Sequence, residues 1–245
     1  MIDVSDTGPV ARLRLDRPEK RNALDVELCR ALTEAMRAAA HREARVVVIT
    51  GSGTSFCSGA DFDVVYTGEF RQALYEMLDA VLHAPMPVVA VVNGPAIGAG
   101  TQLALAADLR FATPDAVFGI PTAKIGIAVD PWTIRRLSLA AGDGVARAML
   151  LACEQVDAGQ ALRCGLIQRG GSLEDAARWA SEIAELAPLT VRYCKQVLGS
   201  LADGRQEPEG QAPLTAAFEH VWNSRDAAEG RAARLERRIP RFDGR

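Results

Sequence analysis

Pro87-Val88-Val89-Ala90-Val91-Val92-Asn93-Gly94-Pro95-Ala96-Ile97-Gly98-Ala99-Gly100 is the stretch that decides the fold. Residues 87–93 form a short valine-rich run, which suits a strand buried on both faces of a parallel sheet. The small residues 94–100 end that strand and lead into a short helix expected over 101–107. Small residues let a ligand approach the backbone closely. A helix N-terminus leaves several N–H groups unpaired and carries partial positive charge. The loop lacks the glycine spacing of a dinucleotide fingerprint, and no phosphate-binding G-x-x-x-x-G-K-[ST] sequence occurs.

Upstream the pattern repeats. Arg45 to Thr50 reads as a second buried parallel strand, broken by Gly51-Ser52-Gly53-Thr54. A second small-residue turn follows, Phe56-Cys57-Ser58-Gly59-Ala60-Asp61-Phe62, before a helix expected from about Glu69 to Leu82. Two such turns could aim one N–H each at a single carbonyl oxygen, which is an oxyanion hole. Further out, Val10 to Leu15 alternates as a strand. Asp25 opens an amphipathic helix through Leu28, Leu32, Ala35 and Met36.

Downstream, Asp108 to Ala112 reads as a strand. Beyond Pro131 the pattern is almost all helix, with a short strand expected at Gly165 to Arg169. Helical periodicity covers Leu173–Leu186, Thr190–Leu201, Leu214–Asn223 and Asp226–Arg237, and residues 203–213 read as a loop. The order implies an α/β core followed by a helical C-terminal part.

Composition bounds the function. The 245 residues are 49% hydrophobic and 24% charged, a soluble globular balance. The net charge of −3, without a long basic run, argues against a nucleic-acid partner. The five cysteines form no C-x-x-C pair, which fits a reducing compartment. No secretory pattern opens the chain, and no apolar run is long enough to span a bilayer. A cytoplasmic protein is expected. His41, His83 and His220 share no metal spacing, so no metal is expected. Cys57 reads as a small packing residue and Lys195 as a solvated charge.

Four ordered segments resemble the signatures of the enoyl-CoA hydratase/isomerase, or crotonase, superfamily. They are Arg17-Pro18-Glu19-Lys20-Arg21-Asn22-Ala23-Leu24, the turn 56–62, the stretch 91–100, and an ending made of Glu229-Gly230 with residues 236–242. The resemblance implies a spiral of ββα units over residues 1–187. It implies a helical trimerisation region over 188–245, giving a homotrimer or a dimer of trimers. Ala60 and Ala99 would supply the oxyanion-hole N–H groups. Arg21, Ala23, Leu24, Ser58, Gly59, Asp61, Phe62, Gly98 and Pro121 would line the channel for coenzyme A and its acyl chain. Coenzyme A is then part of the ligand, and no separate cofactor is implied.

The same resemblance isolates two departures. Hydratases of the family use two glutamates, one as base for water and one as acid for the α-carbon. Gln102 and Thr122 stand at those positions. A glutamine amide cannot accept a proton from water, and a threonine hydroxyl is a poor base at neutral pH. Asp130, in Gly126-Ile127-Ala128-Val129-Asp130-Pro131-Trp132, resembles the proton-moving aspartate of the family's dienoyl-CoA isomerases. It also suits a helix N-cap ahead of Pro131. Together with Trp132 these residues resemble a catalytically degenerate actinobacterial group that binds long acyl-CoA for fatty-acid elongation enzymes. Two functions follow as expectations: an acyl-CoA-binding protein without efficient hydratase activity, or an acyl-CoA enzyme using Asp130.

Overall fold

The computed structural model describes residues 1–202 and 211–245. The chain opens with a hairpin of β1 (Ile2–Thr7) and β2 (Val10–Leu15), turned at Gly8 with φ +59°. The Asp25 side chain accepts the Leu28 N–H at 2.8 Å and starts α1 (Val26–His41). Next come β3 (Val46–Gly51), α2 (Gly68–Leu82) and β4 (Val88–Val92). β5 (Pro95–Ile97) leads into α3 (Ala99–Ala106), and β6 (Leu109–Ala112) into β7 (Val117–Gly119).

The second half carries α4 (Pro131–Ala141), α5 (Asp143–Leu151), β8 (Val156–Asp157), α6 (Ala158–Cys164) and β9 (Arg169–Gly170). Then follow α7 (Leu173–Ala184), α8 (Pro188–Ala202), α9 (Gln211–Trp222) and α10 (Arg225–Glu236).

Two sheets result. The larger has the order β1-β2-β3-β4-β6-β9, parallel from β2 onward; the smaller has the order β5-β7-β8. The chain therefore winds as a spiral, each turn passing from large sheet to small sheet to helix. At β3 the small-sheet step shrinks to one bridge, Cys57 to Ala96.

Alternation explains why β3 and β4 are apolar throughout. Val47, Ile49, Val88 and Ala90 face a core shared with α1, α2 and α3. Val46, Val48, Val89 and Val91 face a second core closed by Trp179, Ala180 and Ala184 of α7. Both faces are buried, so both sets of side chains must be apolar.

One strand was not expected, and three expectations need correction in whole or in part. β1 lies outside the strand expected at 10–15, because its polar, largely exposed residues carry no core-facing alternation. The strand expected over 165–169 survives only at Arg169–Gly170. Leu166 O accepts from the Arg110 guanidinium at 2.6 Å and Ile167 N–H donates back to Ala161 O, so neither joins the ladder. Lys195 is not solvated: its ammonium lies 2.8 Å from Asp108 and 3.0 Å from Met86 O. The loop expected at 203–213 lies outside the described residues up to 210, and 211–213 open α9. No helix among the described residues is long and apolar enough to cross a membrane.

Candidate functional site

The two small-residue turns meet backbone to backbone. A Cβ on Gly59 would lie 2.8 Å from Ile97 O and 3.8 Å from Ala99 N, and one on Gly100 would lie 2.2 Å from Cys57 O. Only glycine allows that approach. Gly59 and Gly98 also have φ of +107° and +55°. Cys57 N–H donates to Pro95 O at 3.1 Å, and Ile97 N–H to Cys57 O at 2.9 Å, tying the turns together. On the far side Gly98 N–H donates to Gly119 O at 2.7 Å. The Thr101 hydroxyl, 2.6 Å from Ala96 O and 3.0 Å from Gly119 O, staples the same corner.

The first segment, Arg17 to Leu24, holds the turn 56–62 from the other side. Asn22 is fully buried, with φ +57°; its amide donates to Ser52 O and Ser55 O at 2.9 and 2.8 Å. Leu24 N–H donates to Gly59 O, and Asp61 N–H to Leu24 O, both at 2.8 Å. Ala60 is the residue bridged to Leu24, and its own N–H points to the opposite side. Ala99 begins α3, where N–H groups lack intrahelical partners. Neither the Ala60 nor the Ala99 N–H donates to another described residue.

Both alanines line a cavity of about 570 Å³. Ser58, Gly59, Phe62, Gly98, Gln102, Pro121 and Thr122 line it too, so nine of the expected site residues, with the two alanines, converge there. Phe70, Leu74, Ile97, Ile127 and Val129 add apolar wall, while Arg71 and Lys124 add positive charge. Arg21, Ala23, Leu24 and Asp61 do not line it. Leu24 has no exposed surface, and Ala23 is also buried. Arg21 O accepts the Ser58 N–H, so this segment is tied to the turn through Arg21 as well as through Leu24. Asp61 is buried, 2.9 Å from the Arg17 guanidinium and 3.7 Å from the Lys20 ammonium. The Asp63 N–H, then Arg17 and Lys20, hold its carboxyl below the usual carboxylate range.

No carboxylate, imidazole or thiol lines the cavity among the described residues. Burial pushes the Cys57 thiol up to about 12, consistent with packing rather than nucleophilic chemistry. The Tyr75 phenol is raised by burial and then by the Asp130 charge, which makes it harder to ionise. No cluster of metal-binding residues occurs among those described.

Asp130 is the N-cap of α4. Its Oδ1 accepts the Thr133 N–H at 3.0 Å. Its Oδ2 accepts the Thr133 hydroxyl at 2.6 Å and the Gln102 amide at 3.2 Å. It lines a neighbouring recess with Trp132 and Arg135 rather than the main cavity. Thr133 and Thr101 are contributors that sequence reasoning missed. A threonine beside a cap or a glycine turn carries no distinguishing signal until the fold supplies its partners.

A family model described as "Enoyl-CoA hydratase/isomerase" matches residues 6–245. The chain is 46% identical to "Probable enoyl-CoA hydratase echA6" of Mycobacterium tuberculosis, over the full length of both. A solved enoyl-CoA hydratase/carnithine racemase from Magnetospirillum magneticum superposes with a TM-score of 0.91 at 29% identity, covering 100% of this chain and 96% of that one. An enoyl-CoA hydratase from Bacillus anthracis gives 0.88 at 29% identity, covering 100% and 99%.

Proposed function

We infer, from the fact that this chain belongs to the enoyl-CoA hydratase/isomerase family, that its cavity binds acyl-coenzyme A and has lost efficient hydration of enoyl thioesters. One observation carries this reading. Ala60 and Ala99, whose N–H groups pair with no described residue, line a cavity whose walls, among the described residues, hold no carboxylate. Two preorganised donors suit a thioester oxygen, whose charge grows whenever the α-carbon is activated. The apolar wall suits an acyl chain, and Arg71 and Lys124 suit the anionic groups of coenzyme A.

Hydration also needs proton transfer. General acid and base groups contribute about 10²–10⁴-fold each. Gln102 and Thr122 stand where the family's glutamates act, and neither side chain titrates near neutrality. Asp130 is occupied by its cap and by Gln102, and an amide is no proton relay. Binding or delivery of acyl-CoA to fatty-acid elongation enzymes, in the cytoplasm, is the role these features support best. The exposed Trp222, Leu235 and Ile239 of the C-terminal region favour assembly with further copies, as a trimer or a pair of trimers.

The test is a pair of measurements on the wild-type chain. Crotonyl-CoA hydration, followed spectrophotometrically, should run at least about 10²-fold below a family hydratase carrying both glutamates. Calorimetric titration should detect acyl-CoA binding. Hydration at ordinary hydratase rates, or no binding of any acyl-CoA, would overturn the reading.

A further inference from the structure

We propose that Lys124 is a self-acylation site, which takes the acyl group of the acyl-CoA bound in the same cavity; this rests on the acyl-CoA-binding reading above. The chain has only three lysines, Lys20, Lys124 and Lys195. Two of them are engaged elsewhere. The Lys20 ammonium lies 3.7 Å from both Asp61 and Asp63. The Lys195 ammonium is held by Asp108 and Met86 O, and Lys195 does not line the cavity. Lys124 is exposed and lines it, and its ammonium has no hydrogen-bond or ion-pair partner among the described residues.

The backbone that carries Lys124 is fixed. Lys124 belongs to a single 3₁₀ turn, Thr122–Ile125. Its N–H donates to Pro121 O at 3.1 Å, and the Ile127 N–H donates to Thr122 O at 3.2 Å. The Tyr66 hydroxyl, from the segment before α2, lies 3.4 Å from Ile125 O. Thr122 and Lys124 both line the cavity, with Cα atoms about 5 Å apart on such a turn. The flexible four-carbon stem lets the amine sweep the space that Ala60 and Ala99 also border.

The other polar groups of the walls are poorer nucleophiles. Arg71 stays charged, which leaves it for the phosphates of coenzyme A. The Ser58, Thr67 and Thr122 hydroxyls need a base beside them, and the described walls hold no carboxylate or imidazole. The Tyr75 phenol is made harder to ionise by burial and by Asp130. An uncharged Lys124 amine attacks the thioester carbon, and a C–N bond forms. The oxyanion is held by the Ala60 and Ala99 N–H groups. The C–S bond then breaks, coenzyme A leaves as its thiol with the proton from nitrogen, and an amide remains. Nothing is oxidised or reduced. The product has lost the Lys124 charge and keeps its acyl chain in the cavity, so it takes no further acyl-CoA.

Mass spectrometry with peptide mapping, on the wild-type chain incubated with decanoyl-CoA, tests this. A ligand held in the cavity presents its thioester at a local concentration on the order of millimolar. With about 50 µM decanoyl-CoA in bulk, Lys124 should gain a decanoyl group at least about tenfold faster than Lys20. The rate should rise with pH, since only an uncharged amine attacks. Excess decyl-CoA, a thioether with no carbonyl to attack, should protect Lys124 once calorimetry shows that it binds. Unfolding in urea should erase the preference for Lys124. In Lys124→Arg the added mass should fall to what Lys20 alone takes up. Equal labelling of Lys20 and Lys124, or labelling that bound decyl-CoA does not suppress, would overturn the proposal. So would the absence of an adduct while calorimetry shows decanoyl-CoA bound, a result that leaves the acyl-CoA reading intact. Failure of every acyl-CoA to bind would remove that reading and this proposal together.

Discussion

Gln102 shows how one side chain changes what a pocket can do. Its nitrogen is spent on Asp130 and Thr133, so the position is a donor toward α4. Introducing a carboxylate at this position would change its surroundings as well as its charge. In Gln102→Glu, two carboxylates would face each other where Asp130 Oδ2 now accepts a hydrogen bond. Burial and like charge would both raise the new group's pKa in the folded state. The variant is thus expected to lose stability as pH rises above about 4.3, the ordinary glutamate value. Thermal melting should give a Tm deficit that grows from about pH 5 to about pH 8. A deficit constant with pH would contradict the proximity of the two groups.

At the scale of elements, the site depends on two turns packed at backbone distance. Gly100 is the clearest case, since a Cβ there would meet Cys57 O at 2.2 Å and Cys57 Cβ at 2.9 Å. Gly100→Ala must push the first turn away from α3, and should cost about 2 kcal/mol or more by urea unfolding. It should also weaken acyl-CoA binding by separating the donors of Ala60 and Ala99. Gly144, near the start of α5, meets nothing within 4 Å. Gly144→Ala should leave stability within about 0.5 kcal/mol of the wild type or raise it slightly. A Gly100→Ala variant as stable as Gly144→Ala would contradict the contact between the turns.

At the scale of the whole molecule, the chain's end is bound back onto its body. Arg45, just before β3, donates to Ala184 O and to Phe242 O. Asp226 accepts the N–H groups of Asp243 and Gly244 at 2.9 and 3.2 Å. Glu229 accepts from the Arg238 guanidinium at 2.9 Å and from the Arg241 N–H at 2.7 Å. Arg238, then the Arg241 N–H, lower the Glu229 carboxyl from 4.5 to about 2. Because the folded value is depressed, the contribution is complete above 4.5 and is lost as pH falls toward about 2. Comparing Tm for the wild type and Glu229→Gln across pH should show a gap that narrows below 4.5. A gap that widens in acid would have the wrong sign.

Much of this was legible in residue order alone. The valine run of 88–92 could only be a strand covered on both faces, and the glycines of 59, 98 and 100 announced a close backbone approach. Gln102 and Thr122 were legible as an amide and a hydroxyl, neither of which titrates near neutrality. Those readings depend on local chemistry, which a sequence carries whole. The exposed β1 and the short β5, β7 and β8 were not legible, since they have too few residues to show a period and form through long-range pairing. Nor was the fate of Asp130: cap and acid look alike in the sequence. Only the tertiary structure set its carboxylate against Thr133 and Gln102 and put the residue in a recess beside the cavity. It did so because hydrogen-bond partners distant along the chain are chosen by packing, not by neighbours in sequence.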